Sequence, residues 1–326
     1  MAHEIDFTTG TAAIAYTGET PWHGLGFKLP ETASIEEWRE AAKLEWEAVT
    51  AELEWASPDG QRLTYPGRYV LYRSDFHKPL AIVSKHYKPV QPAEVLEFFR
   101  DLVTDIGGFK METAGALQDG KKVWALARAP KAAVIGENDV VARYLLLATS
   151  YDLSMPTTVQ QTSVRVVCMN TLRASLASRS SRTIHMHEFN PTAAKRELGL
   201  DRDWNEFIAA MESLTAVGPL DDTFVEEFYK TNLFTDLDRA RPYYSEAGAN
   251  RLVERMMGIY HEGPGAELET AKQTMFGVVN AVTHYYDFKA RSRSRDNRLN
   301  SSWFGRGEDK KDQVLQAALD YQQANA

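Results

Sequence analysis

From Leu153 to His187 the chain carries no carboxylate, although Asp and Glu outnumber Lys and Arg 45 to 37 over its full length. The same window holds Arg165, Arg173, Arg179 and Arg182, two histidines and many Ser and Thr hydroxyls. Clearing the acids from one stretch of an acidic chain builds a local positive surface. Such a surface, beside hydroxyl and amide donors, suits a phosphate-rich partner. Within the window, Asn170 reads as the N-cap of a short helix, Thr171–Ser178, that follows a strand at Thr157–Cys168. The free N–H groups of that helix start, flanked by Thr171, Arg165 and Arg173, would make an anion site. The plainer reading puts Val164, Val166 and Cys168 in a core, Arg165 in water and Asn170 in a capping role only.

A second segment, Lys289–Lys311, has eight Lys or Arg against three carboxylates. Arg291, Arg293, Arg295 and Arg298 lead into Trp303 and Phe304, set among Ser, Asn and Gly. Cations that track phosphates and rings that stack on bases are the parts of a single-strand binding surface. Against this, adjacent large aromatics usually pack inside, which would leave a solvated charged loop. A third segment, Pro21-Trp22-His23-Gly24-Leu25-Gly26, could touch a ligand or could be a tight turn pinned by Trp22. Metal and nucleophile readings are thin. His185, His187 and Glu188 lack a recognisable further ligand, and Cys168 on an apolar strand reads as inert core. There is no GxxxxGK[ST], HExxH or GxSxG, so no metal, cofactor or catalytic residue is expected and the chain reads as more binder than enzyme.

At 326 residues and 44% apolar, the chain can bury a sizeable core in one large domain or two ordinary ones. A net charge of −8 argues against generic coating of DNA by overall charge, so a nucleic acid would have to meet a local patch. The single Cys168 excludes an internal disulfide framework and a cysteine-cluster zinc site. The opening MAHEIDFTTGTAAIAY lacks a basic start followed by an apolar run, and nothing approaches the roughly 20 apolar residues of a membrane span. A cytoplasmic setting without a membrane partner is the expectation.

These segments need elements to position them. Ser34 caps a helix with Glu37 completing a capping box. Tyr69–Arg73 and Leu80–Ser84 suit strands, and Pro92 opens a helix carrying Val95, Phe99, Leu102 and Ile106. Asp119-Gly120 joins Phe109–Leu117 to Lys122–Arg128 as a hairpin, and Arg143–Ser150 with Thr157–Cys168 completes a four-stranded antiparallel sheet. Beyond about residue 190 the pattern is helical: Trp204–Leu214, Phe224–Tyr229, Leu252–Ile259, a long central helix over Leu268–Asp287, and a last amphipathic helix through Leu319. Strands before helices imply an α+β fold: an α+β domain over 1–190, then a helical region over 191–326 that could pack on it as one unit. No internal repeat is evident.

Four segments carry a family resemblance: TGETPWHGLG (Thr17–Gly26), TSVRVVCMNTL (Thr162–Leu172), QTMFGVVNAVTHYYD (Gln273–Asp287) and RLNSSWFGRGEDKK (Arg298–Lys311). In that order they resemble the phage/plasmid-like protein family, catalogued as domain of unknown function 932. The resemblance implies a mobile-element setting and brings no catalytic residues with it. The order helix, hairpin, strands, helix over Pro92–Ser178 is also similar, at the level of fold alone, to phage single-strand annealing proteins. The resulting expectation is a protein that binds or anneals single-stranded DNA in recombination or replication. It would act as a homo-oligomer, with phage or host recombination proteins as further partners. Phosphate contacts would come from Arg165, Arg173, Arg179 and Arg182 and from Arg291, Arg293, Arg295 and Arg298, helped by Asn170 and Thr171, with Trp303 or Phe304 stacking. The rivals are a non-enzymatic factor acting on host or phage proteins, and a metal-dependent nuclease.

Overall fold

The computed structural model describes residues 5–18, 24–104, 108–165, 170–173, 181–183, 189–190, 200–291 and 301–325. For strand residues 165, 170–173 and 181–183 the account is of the backbone. The fold is α+β: strands dominate the first half of the chain and helices the second.

A large sheet runs in the order β11-β10-β9-β7-β6-β1-β2. Its strands are β1 (Ile14–Tyr16), β2 (Phe27–Lys28), β6 (Lys110–Leu117), β7 (Lys122–Arg128), β9 (Asp139–Ser150), β10 (Thr157–Arg165) and β11 (Asn170–Arg173). Two short strands complete it: β8 (Ala133–Ile135) pairs β9, and β12 (Ser181–Thr183) pairs β10 beside β11. The pairs are antiparallel except β1 with β2. The β6–β7 hairpin forms where Asp119-Gly120 predicts it, with Gln118, Asp119 and Gly120 all at positive φ. A separate antiparallel sheet joins β3 (Ala48–Ala56), β4 (Arg62–Arg73) and β5 (Pro79–Ser84).

Alternation gives the large sheet two working faces. On one, Val123, Ala125, Leu145, Leu147 and Val159 pack on α1 (Ile35–Ala41), α2 (Pro92–Thr104) and the inner side of the small sheet. At the far end of that face, Val141 and Ile135 join the core of the helical half. On the other face, Ile14, Trp124, Leu126, Tyr144, Leu146 and Val164 form a cluster that Trp303 and Phe304 cover in part.

The helical half comprises α3 (Leu200–Thr215), α4 (Asp222–Asn232), α5 (Asp236–Arg239), α6 (Glu246–Glu262), α7 (Met275–His284) and α8 (Arg306–Ala324). Every residue of α7 is buried, as its apolar run on several sides requires. It is shorter than the long helix predicted over 268–287. Thr274 caps its start, Gln273 just before has a φ of +56°, and after His284 the backbone widens into a π-helix, Tyr285–Lys289.

Two further sequence expectations are corrected. The sheet is wider than four strands. Asn170–Arg173, expected to cap and open a helix, is instead a strand hydrogen-bonded to β10. Those four residues take the ladder that β10 offers, and the rest of the expected helix, residues 174–178, lies outside the described residues. The anion site at a helix start after Asn170 therefore falls away.

Candidate nucleic-acid interface

The acid-free window builds the outer margin of the large sheet. β10 pairs β9 on one side, and on its other side β12 pairs residues 157–159 while β11 pairs residues 162–165. Register sorts the arginines. Arg173 lies opposite Thr162, Thr171 opposite Val164, and Arg182 opposite Thr158. These three positions share the parity of Val164 and so belong to the face that Trp303 and Phe304 cover. Arg173 and Arg182 sit four β10 residues apart, roughly 13 Å at about 3.3 Å per residue. Arg165, opposite Asn170, has the other parity and belongs to the face of Gln161 and Ser163. Arg179, Arg293, Arg295 and Arg298 lie outside the described residues, as do Trp22, His23, Cys168, His185, His187 and Glu188. Arg291 is described and exposed.

β10 is unusual for a strand that is buried on both sides, because its side chains are polar on both. Thr157, Thr158, Gln160, Gln161 and Ser163 are all nearly inaccessible. On the side of Arg165, Arg143 Nε donates to Gln161 Oε1 at 2.9 Å, and the Arg143 guanidinium lies 5.5 Å from the Trp204 ring centre. That pair ties the sheet margin to α3. On the opposite face Tyr144 donates to Glu112 at 3.0 Å, and burial raises the Glu112 carboxyl above its ordinary range against the pull of that hydrogen bond. The composition window did not reveal Arg143, Gln161, Tyr144 or Glu112. The adjacent glutamines in a β-branched strand were the available signal.

The second segment turns out to be largely neutralised where it is described. Lys311 Nζ lies 3.0 Å from Asp287 on the π-helix and 3.3 Å from Glu308, with its side chain 1% exposed. Ser302 donates to the same Asp287. Lys310 and Arg306 both pair with Asp238. Burial alone would raise the Asp238 carboxyl, but hydrogen bonds from Lys310 and Thr235 outweigh it and hold the carboxyl well below the usual carboxylate range. Three of the eight cations of Lys289–Lys311 thus bind α8 to its neighbours, while Lys289 and Arg291 remain exposed.

These ion pairs position the aromatic pair. The turn at 301–304 is fixed through Ser302, and it sets Trp303 edge-on to Trp124 with ring centres 5.4 Å apart. Both Trp303 and Phe304 are half-buried, so each is packed and still partly open. β11 lies against both α7 and α8, and α8 in turn contacts the π-helix.

The model of a family described as "Domain of unknown function (DUF932)" matches residues 79–303. The chain belongs to that family. No curated protein and no solved structure matches it. In this DUF932 chain the matched span runs from β5 to Trp303 and contains the whole β10–β12 margin, α7 and the π-helix. The β3–β4 hairpin precedes it. Among the described residues no group of three His, Cys, Asp or Glu is placed to hold a metal ion, and no helix is long and apolar enough to cross a membrane.

Proposed function

We propose that this DUF932 protein binds single-stranded nucleic acid, most naturally single-stranded DNA in the recombination or replication of a mobile element. The observation that carries the reading is the register of the sheet margin. Arg173, Thr171 and Arg182 fall on the same face as the half-exposed rings of Trp303 and Phe304. Cations that track a backbone beside rings that stack bases are what a sequence-tolerant single-strand site needs. In a chain of net charge −8, such binding depends on this local patch. The mobile-element setting rests on sequence resemblance alone.

Fluorescence anisotropy of a labelled strand of about 40 nucleotides, titrated at several salt concentrations, tests the reading. Binding should fall steeply with salt and exceed binding to the matching duplex. Replacing Arg173 and Arg182 together by Ala should weaken it for all sequences alike and flatten the salt slope by about 0.7 for each phosphate left without its cation. Arg165→Ala, on the opposite face, should do less. A folded double variant with unchanged affinity would remove these arginines from the site, and no binding at low salt would sink the nucleic-acid reading.

A further inference from the structure

The small sheet has two faces, and only one of them is used. Its inner face packs Ala48, Leu71 and Val83 into the main core. Its outer face, by alternation along each strand, carries Val49, Ala51, Leu53 and Trp55 on β3, Val70 and Tyr72 on β4, and Ile82 on β5. The register confirms the stripe: Val49 pairs Tyr72, Ala51 pairs Val70, Val70 pairs Ile82, and Trp55 pairs Leu63 near the hairpin tip. None of these is charged. An antiparallel sheet with one solvated face normally alternates apolar with polar residues. Here the tip reverses that rule, since Glu54, Thr64 and Arg62 occupy the inner side while the outer side stays apolar.

The stripe is open to solvent at Ala51, Trp55 and Ile82, while Val49, Leu53, Val70 and Tyr72 are half-buried. Ile82 is 54% exposed, Trp55 49% and Leu63 38%, and Tyr65 beside them is 52% exposed. Beyond the reach of β5 the hairpin is a two-stranded ribbon, bulged between Glu52 and Glu54, with Gly67 at a φ of +70°. Such a ribbon has little stability of its own in water and needs a further layer on its apolar side.

We propose that this outer face is the interface between two copies of the chain, stacked sheet on sheet about a twofold axis. A second copy supplies a largely apolar layer of the same length, and two antiparallel sheets stacked about 10 Å apart are the ordinary way to bury such faces. Two exposed charges of opposite sign share that face by register, Glu47 just before β3 and Arg68 on the central strand β4 opposite Ser84, so a twofold partner sets opposite charge within reach of each. The exposed halves of Trp55, Tyr65 and Ile82, with Leu63, Ala51 and the remaining exposed parts of the half-buried residues, amount at full burial to on the order of 600 Å² per copy. Two copies together then reach about 1,200 Å², which clears the lower bound of a specific interface. The contact is isologous, so it closes at the dimer.

Sedimentation velocity of the full chain, free of nucleic acid and run over a range of concentrations, tests this. The wild type should sediment as a concentration-dependent dimer. Ile82→Glu, and separately Trp55→Ser with Leu63→Ser, should raise the dissociation constant at least about tenfold while leaving the melting temperature and far-ultraviolet spectrum of the monomer in place. The two variants alter different strands, so a folding defect in one leaves the other to report. A wild type that stays monomeric throughout overturns the proposal and leaves the face to a different partner, and so do folded variants that dimerise unchanged.

Discussion

Lys311 shows how a basic cluster in a sequence can be used up inside the molecule. Burial alone would pull its ammonium down, but Asp287 and Glu308 outweigh that and raise it above the ordinary lysine value of 10.5. Its side chain is 1% exposed, and those of both carboxylates are 6% exposed. Lys311→Met would leave two buried carboxylates without that cation, a change that typically costs about 3–5 kcal/mol. Urea denaturation should register the loss, and adding Asp287→Asn and Glu308→Gln should recover part of it. The pH dependence has a definite sign. A raised folded value means the contribution is complete below 10.5 and disappears as pH rises through the folded value. The alkaline loss of stability should therefore be shallower in Lys311→Met. An equally steep loss would place the titration elsewhere. Trp303 emission should shift as well, because Ser302 and Lys311 share Asp287.

At the scale of elements, α7 depends on a close approach. A Cβ on Gly277 would lie 2.0 Å from the Ala271 carbonyl oxygen and 3.2 Å from the Tyr260 ring. Alanine is the better helix former by about 1 kcal/mol. Overpacking a buried site against a fixed carbonyl costs about 1–3 kcal/mol, so the clash should win. Gly277→Ala is expected to lower the denaturation midpoint with an unchanged slope, and a stabilised variant would refute this packing. Much of the architecture was legible because its causes are local. Ser34 and Glu37 exchange the capping-box bonds, Asp119-Gly120 turns the hairpin, and the helical spacing of the second half marks its apolar faces. What escaped depends on partners distant in sequence. Asn170–Arg173 is a strand because β10 pairs it. Ala48–Ala56 is rich in Glu and Ala and does not advertise a strand, although Val49, Ala51, Leu53 and Trp55 alternate faithfully. The basic count over Lys289–Lys311 could not show that Asp238, far earlier in the chain, would take up Lys310 and Arg306. The acid-free window did mark a real feature, the sheet margin, but register alone divides Arg165 from Arg173 and Arg182.

For the whole molecule, the question is whether the strand-rich and helix-rich halves fold separately. The packing argues that they do not. Val141 and Ile135, from the large sheet, are buried in the same cluster as Phe207, Met211, Val278 and Val282 from the helices. Thr270 donates to the fully buried Asp139 at 2.7 Å, so a polar group of β9 is satisfied from the helical half. Arg143 lies on Trp204, and Trp124 is edged by Trp303. Removing the helices would expose apolar surface and leave Asp139 without its Thr270 hydroxyl. Leaving a buried polar group without its hydrogen-bond partner costs about 1–3 kcal/mol, a sizeable part of the roughly 5–15 kcal/mol that holds a typical domain together. Urea unfolding followed by far-ultraviolet circular dichroism, which weights the helices, should therefore coincide with unfolding followed by tryptophan emission, which includes Trp46 and Trp124 from the strand-rich half. Residues 1–190 expressed alone should lack a cooperative transition. Two separated transitions, or a cooperatively folded 1–190 fragment, would show that the shared cluster is a contact between independent domains rather than one core.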